Sequence, residues 1–179
     1  TMYKDPILWN QNQQLLGAEI YIFMKDSTIN KVHVLGEALS VEQLNDSTHF
    51  NQCSSKEMFA YFENGEISQG HAKDNVLIVY YPIDDSDSTI IGLNYTETTE
   101  MRMFLENRKM KRIWMPKAEG VLYPLTQVPP DKYFLPTYAW FDYVRPLNKE
   151  DIFNWRGKKE GTELKEEKKR KAPKRTIVN

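Results

Sequence analysis

Three segments of the chain alternate apolar and polar residues with a period of two, which is the spacing typical of β-strands. Each segment begins with one strand, turns through residues such as Asp, Asn and Gly, and continues into a second and then a third strand. The opening strands are predicted at 20–24, 58–62 and 101–105, the returning strands at 29–34, 67–72 and 110–115, and the third strands at 38–41, 76–81 and 121–123. A period of about forty residues indicates a repeat architecture.

The alternation separates two faces, because successive side chains leave opposite sides of a strand. One face is apolar in all three repeats, whereas the other mixes aromatic and charged residues. A second sheet must cover the apolar face, or a ligand must fill part of it. We call its predicted ligand-contacting positions the inner lane: Ile20, Ile22, Met24, Val32, Val34, Met58, Ala60, Phe62, Met101, Met103, Leu105, Ile113 and Met115.

Methionine is concentrated in the inner lane, which holds five of the seven methionines of the chain. Flexible thioethers suit an adaptable cavity that closes around different ligands. They also fill irregular gaps in an ordinary core, and this is the simpler interpretation. Both interpretations stay open from the sequence.

The chain changes character on either side of the repeats. Residues 5–9 and 14–16 are predicted to form one or two further strands before the first repeat. From Pro124 onward, prolines interrupt regular strands, while six aromatic residues between 133 and 143 are too many for a free tail. We therefore expect residues 126–155 to form a cap on the end of the sheet, with Asn148 capping a single helical turn.

The sequence thus predicts three parts: β-jellyroll repeats at 1–125, the cap at 126–155, and a basic tail at 156–179. Residues 156–175 carry ten Lys or Arg and four Glu, a net charge of +6 in a chain whose total is −1. Disorder in solvent explains such a tail, and contact with phosphates or an anionic membrane surface explains it equally well. The near-neutral total gives no indication of a nucleic-acid partner.

Candidate chemistry is sparse. The histidines, His33, His49 and His71, are far apart in sequence, and the only cysteine is Cys53. Glycine-rich phosphate loops, serine elbows and metal-spaced clusters are absent from the sequence. The acidic loop at 84–88 is either a solvated turn or, less simply, a cation site. We therefore predict a non-enzyme, with no catalytic residue, metal or cofactor.

The compartment is only weakly constrained. No apolar run approaches the roughly 18 residues that a membrane-spanning helix needs. A single cysteine excludes an internal disulfide and suits either the cytosol or the periplasm. The sequence starts at Thr1 without a leader pattern, so we expect a removed signal peptide or, preferably, an excised piece of a longer protein.

A set of short motifs resembles the OstA-like family of periplasmic lipopolysaccharide-transport proteins, those of Bacteroidetes most of all. The resemblance extends from Asp5 to Phe153 and rests on the order and spacing of the motifs. They are DPILW at 5–9, MFAYFENG at 58–65, YYP at 80–82, LYPL at 122–125, VPP at 128–130 and RPLNKEDIF at 145–153. Gly70, Asp74 and the basic tail depart from the shared pattern.

The resemblance implies an all-β, open β-jellyroll whose interior groove carries the acyl chains of lipid A. It also implies a periplasmic location associated with the outer membrane, and partner modules that join edge to edge by strand pairing. An assembly module that only binds other envelope proteins through its strand edges is the alternative. A carbohydrate-binding or surface-binding module is a third, and it would require aromatic residues aligned on the outer face.

Overall fold

A computed structural model describes the backbone of residues 2–3 and residues 6–106, 109–148, 150 and 151. It shows an all-β protein with one open antiparallel sheet, which confirms the predicted open β-jellyroll class. The strands are β1 (Met2–Tyr3), β2 (Ile7–Asn10), β3 (Gln13–Leu16), β4 (Glu19–Lys25), β5 (Thr28–Gln43), β6 (Phe50–Glu63), β7 (Glu66–Tyr80), β8 (Leu93–Glu106), β9 (Lys109–Trp114) and β10 (Glu119–Tyr123). Three short 3-10 helices follow at Leu125–Gln127, Pro130–Lys132 and Asp142–Val144.

The strands pair in the order β1-β4-β5-β6-β7-β8-β10. Three short strands complete the sheet: β3 pairs with the second half of β5, β2 pairs with β3, and β9 pairs with the second half of β8. The tight turn between β6 and β7 contains Asn64 and Gly65, both with positive φ. An Asn-Gly pair is well suited to this conformation, since neither residue is strongly penalised there. Within the described residues, no helix is both long enough and apolar enough to cross a bilayer.

Two predicted strand boundaries are wrong, because β5 and β7 are each continuous. Strand β5 contains both the predicted returning strand at 29–34 and the third strand at 38–41, and β7 merges 67–72 with 76–80 in the same way. Each strand passes through an irregularity instead of ending: Gly36 and Glu37 have φ of 72° and 48°, and Asp74 and Asn75 have φ of 61° and 53°. Only the third repeat has separate strands, β9 and β10.

These irregularities lie side by side and divide the sheet. Register shifts occur after Leu35 in β5, after Ser54 in β6 and after Lys73 in β7. Because bulges bend and twist a strand, we call this line the bend. The proximal half comprises β2, β3, β10 and residues 38–43, 50–55, 76–80 and 93–98. The distal half comprises β4, β9 and residues 28–35, 57–63, 66–73 and 100–106.

The inner core spans the bend. Its buried residues are Ile20, Val32, Val34, Ala38, Met58, Ala72 and Val76. Leu15 and Ile78 of the proximal half pack against this cluster. The apolar face of the distal half therefore continues into a core that also contains residues of the proximal half.

The cap core lies on the opposite face of the proximal half. It joins strand residues to the C-terminal segment, and its buried residues are Leu16, Leu39, Val41, Val79, Tyr81, Leu93, Val128, Leu135 and Phe141. The prediction placed the cap at the end of the sheet, whereas these contacts place it along a face. The amide of Asp151 donates a 2.9 Å hydrogen bond to Asn148 Oδ1, and the basic tail lies outside the described residues.

Two buried glutamines attach the cap to the sheet. Gln14 of β3 donates to the carbonyl of Ala139 and accepts from the amide of Phe141, both at 2.8 Å. Gln52 of β6 makes the same pair of bonds, donating to Tyr133 and accepting from Leu135, both at 2.9 Å. Each glutamine side chain thus supplies one donor and one acceptor to backbone groups of the cap. The cap needs such partners because its described residues form no strand.

Candidate lipid-binding site

The structure brings most of the predicted inner lane onto one face of the distal half. Residues directly opposite one another in an antiparallel sheet share a face, so the register defines rows across the strands. The first row runs Ile20, Val34, Met58, Ala72, Met101. The second row runs Ile22, Val32, Ala60, Gly70, Met103, Ile113. A third, interrupted row consists of the pairs Met24–Ile29, Phe62–Ile67 and Leu105–Met110.

Burial changes from row to row. In the first row, next to the bend, Ile20 and Val34 are buried. In the third row, at the hairpin tips, Met24 is 59% exposed and Met110 is 47% exposed. The inner lane is therefore packed core at its inner end and open apolar surface at its outer end.

Met115 is the one predicted position that the structure leaves outside these rows. It follows the last residue of β9, and Pro116 then starts a turn. Conversely, Ile29, Ile67 and Met110 belong to the face and were not among the predicted positions. Alternation does not find any of the three, because an extra residue in each of β5, β7 and β9 changes the register before Ile29, Ile67 and Met110.

A missing side chain makes room for Met103 in the second row. A Cβ atom at Gly70 would lie 3.2 Å from the terminal methyl carbon of Met103, which occupies the space over that glycine. Because a methionine side chain has several accessible rotamers, its movement would open a recess beside Gly70 and Ala60. The middle of the inner lane can thus adapt its depth to a ligand.

A small cavity lies at the bend, separate from the inner lane. It has a volume of about 20 Å³ and is lined in part by Ser54, Asn75 and Thr137. The hydroxyl of Thr137 is buried without a hydrogen-bond partner. A space of this size holds about one water molecule and is far too small for an acyl chain.

The outer face of the distal half carries aromatic and charged residues. His33 stacks on Phe59 with 4.2 Å between ring centroids, and His71 lies 5.8 Å from the other side of Phe59. His33 Nε2 is 2.6 Å from a Glu57 oxygen, and His71 Nε2 is 2.7 Å from a Glu100 oxygen. The two imidazoles are therefore separated by a phenyl ring.

Two carboxylates of this face, Glu57 and Glu100, have lowered pKa values. Burial raises the pKa of Glu57, but hydrogen bonds from His33 and Lys73 outweigh burial, so the net shift is downward. Hydrogen bonds from Arg102 first, and then from His71, hold the pKa of Glu100 below its usual range. Both carboxylates therefore act as structural acceptors for neighbouring side chains.

The remaining chemical candidates have structural explanations. Burial raises the pKa of Cys53 to about 12, so its thiol is neutral and a poor nucleophile. In the acidic loop, Asp84 accepts hydrogen bonds from the amide and hydroxyl of Ser86, and Asp87 accepts the same pair from Thr89. Among the described residues, no group of three or more His, Cys, Asp or Glu side chains is placed to hold a metal ion.

Comparisons with protein-family models, curated proteins and solved structures find no match. The resemblance to the OstA-like family therefore stays a prediction from short motifs. The inner lane supports a functional proposal through its geometry and polarity alone.

Proposed function

We propose that the chain is a non-enzymatic module that binds lipid acyl chains in the inner lane. In keeping with the sequence resemblance, the lipid is lipopolysaccharide, carried through the periplasm towards the outer membrane. The supporting observation is the apolar face that continues from the buried first row to the exposed tips of three hairpins. A face filled only by its own side chains would not need to continue outward as apolar surface.

The physical basis is burial of apolar surface. Met24, Met110 and Ile113 are 59%, 47% and 41% exposed. Each would lose contact with water when an acyl chain lies across the exposed end of the inner lane. Burial contributes roughly 25 cal/mol per Å² of apolar surface, or about 0.8 kcal/mol per methylene of the lipid. The flexible thioethers adapt to chains of different length and curvature.

A charge in the middle of the inner lane tests this proposal. Met103→Glu places a carboxylate over Gly70, where an acyl chain would have to desolvate it. The measurement is displacement of a fluorescent fatty-acid probe by purified lipopolysaccharide, with folding of each variant checked by circular dichroism and urea denaturation. We expect saturable binding by the wild type and at least tenfold weaker binding by Met103→Glu.

Thr99→Glu is the matched control, because Thr99 is exposed on the same strand and lies outside the inner lane. It introduces the same charge and should leave probe binding unchanged. Absence of probe binding by folded wild type, or equal loss in both variants, would overturn the acyl-chain proposal.

A second candidate function is assembly through a sheet edge. In edge strand β10, Val121 and Leu122 point to opposite faces and are each 51% exposed, so this edge is apolar on both sides. Such an edge can accept a strand from another module. If assembly is the function, wild type forms concentration-dependent oligomers in light scattering, and the double variant Val121→Lys, Leu122→Lys stays monomeric with unchanged probe binding. A monomeric wild type at all concentrations contradicts self-assembly through this edge.

A further inference from the structure

The outer face of the distal half contains a row without carboxylates. We call this row the outer stripe, and it lies on the side of the sheet opposite the inner lane. One residue from each of six strands is paired directly with the next: Phe23, Lys31, Tyr61, Gln69, Phe104 and Arg112. Aromatic rings, two cations and one amide thus follow each other across the whole width of the distal half.

The two cations of the outer stripe are held on aromatic rings. Lys31 Nζ lies 4.4 Å from the centroid of Phe23, and Arg112 Cζ lies 4.3 Å from that of Phe104. Among the described residues, no carboxylate is within ion-pair distance of either cation. A guanidinium that lies flat on a ring keeps the N–H donors at its edge free to bind an oxyanion in a bidentate manner.

The next row towards the bend differs in this respect. It contains Arg102, which is 2.8 Å from a Glu100 oxygen and therefore already neutralised. Arg102 also lies 5.4 Å from the ring of Trp114, which is 47% exposed. Together with Phe104 and Arg112, these residues line a shallow, open depression of about 300 Å³ at one end of the outer stripe. Lys31 and Arg112 thus lie in the outer stripe without a carboxylate partner among the described residues, whereas Arg102 of the next row has one.

The shape of the outer stripe suits an extended chain. Neighbouring strands are separated by roughly 4.8 Å, so six strands span about 24 Å from the first residue to the last. A small ligand would contact only one end of such a row. An extended ligand would meet ring surfaces along its length and a cation near each end.

We propose that the outer stripe binds an acidic oligosaccharide. The exposed parts of the Phe23 and Trp114 rings pack against the apolar C–H faces of sugar rings. Tyr61 and Gln69 offer hydrogen bonds to hydroxyls, and the two cations pair with widely spaced carboxylates or other anionic substituents. Single-stranded nucleic acid fits less well, because it carries one charge per nucleotide and only two of the six residues in the outer stripe are cations. Glu57 and Glu100 in the neighbouring row would also repel a ligand that is charged at every unit.

Calorimetric titration with a hyaluronan hexamer, in which every second sugar carries a carboxylate, tests the proposal. We expect the wild type to bind it with an affinity that falls as salt rises, because the free cations are screened. Arg112→Gln and Lys31→Gln should each weaken binding about tenfold, since each removes a charge-assisted hydrogen bond. Lys111→Gln is the matched control: Lys111 is adjacent to Arg112 in β9, 60% exposed, and 3.2 Å from Glu106. It should bind within twofold of the wild type.

Three results would overturn the proposal. One is that folded wild type fails to bind the hexamer, and another is that it binds the neutral hexamer maltohexaose equally well. The third is tighter binding of a short oligothymidylate, which would assign the outer stripe to single-stranded nucleic acid. Met103→Glu lies on the opposite face and should leave the affinity for the hexamer unchanged, so failure of this proposal and failure of the acyl-chain proposal are distinguishable.

Discussion

The two halves of the sheet share the same alternation of apolar and polar residues, but they differ in how their faces are covered. In the proximal half, one face meets the inner core and the other is covered by the C-terminal segment, so Leu39, Val41 and Leu93 are completely buried. In the distal half, Phe23 and Met24 are adjacent, point to opposite faces, and are 44% and 59% exposed. The proximal half is therefore covered on both faces, whereas free surface for binding is concentrated in the distal half.

The bend explains how one half of the sheet can be covered while the other half stays open. Strands β5, β6, β7 and β8 are long enough to cross both halves, so the proximal half can hold the distal half in register without covering it. Binding surfaces need groups that are unpaired in the free protein, and such groups contribute little to folding. A rigid, covered half that extends into an open half satisfies both requirements.

The largest expected effect is on the free energy of unfolding, and it is tested by substituting two phenylalanines. Phe141 of the cap is fully buried in the cap core, whereas Phe23 is 44% exposed at a hairpin tip. Phe141→Ala leaves a cavity and should lower the free energy of unfolding by about 3–5 kcal/mol. Phe23→Ala should lower it by less than about 1 kcal/mol, mainly through the lost contact with Lys31. Urea denaturation at neutral pH measures both values.

An equal loss of stability in the two variants would contradict the division of the sheet. So would a small effect of Phe141→Ala, because it would mean that the cap detaches without loss of folding free energy. The slope of the denaturation curve serves as a check, since a changed slope would indicate that the cap has become detached in the native state.

A smaller effect is expected from the glutamines that attach the cap. Gln14→Leu removes a buried amide and leaves the carbonyl of Ala139 and the amide of Phe141 without partners. Each unsatisfied buried group costs about 1–3 kcal/mol, although the added apolar contact offsets part of that cost. Gln13→Leu is the matched control, because Gln13 is exposed in the same strand and makes only a 3.4 Å bond to Ser40.

Gln14→Leu should therefore destabilise the protein more than Gln13→Leu by about 1–3 kcal/mol in urea denaturation. Hydrogen exchange should also quicken in Gln14→Leu at the amide of Phe141, which Gln14 protects. Equal stability of the two variants would show that the cap is held by apolar packing alone.

The glutamines also explain where sequence-based prediction stops. Alternation correctly assigned the first two rows of the inner lane, because the strands between the bend and the hairpin ends keep a regular register. The prediction missed the first half of β6, where Gln52 and Ser54 are polar and buried. Gln52 is satisfied by backbone groups 81 and 83 residues away in sequence, and no local pattern reports such a partner.

The two candidate sites also differ in how far they can be predicted from the sequence. The inner lane could be predicted because its signal is local: one apolar residue in every two. The outer stripe could not be predicted, because only the register of six strands shows that Lys31 and Arg112 lie in one row. Bulges also hide register from a sequence pattern, as at Glu37 and Asp74, where residues with side chains adopt positive φ inside a strand. Such positions resemble turns in sequence, and the prediction treated them as strand ends.

The smallest effect concerns the charges of the distal half. The pKa of Glu57 is lowered in the folded state, so the ionised form contributes to stability. That contribution is fully present above the pKa of an unfolded glutamate, about 4.3, and is lost as the pH falls through the lower folded value. Because Glu57 lies near the surface, the contribution is below about 1 kcal/mol.

Glu57→Gln should therefore be less stable than the wild type at pH 7, and the difference should disappear as the pH falls below 4. Glu63→Gln provides the control, because Glu63 is exposed at the end of the same strand and makes no ion pair among the described residues. Urea denaturation of the three proteins between pH 2 and pH 8 measures the effect. A stability difference for Glu57→Gln that stays constant across this range would mean that packing, not charge, is lost. The distal outer face would then be held together like the proximal half, by contacts that do not depend on ionisation.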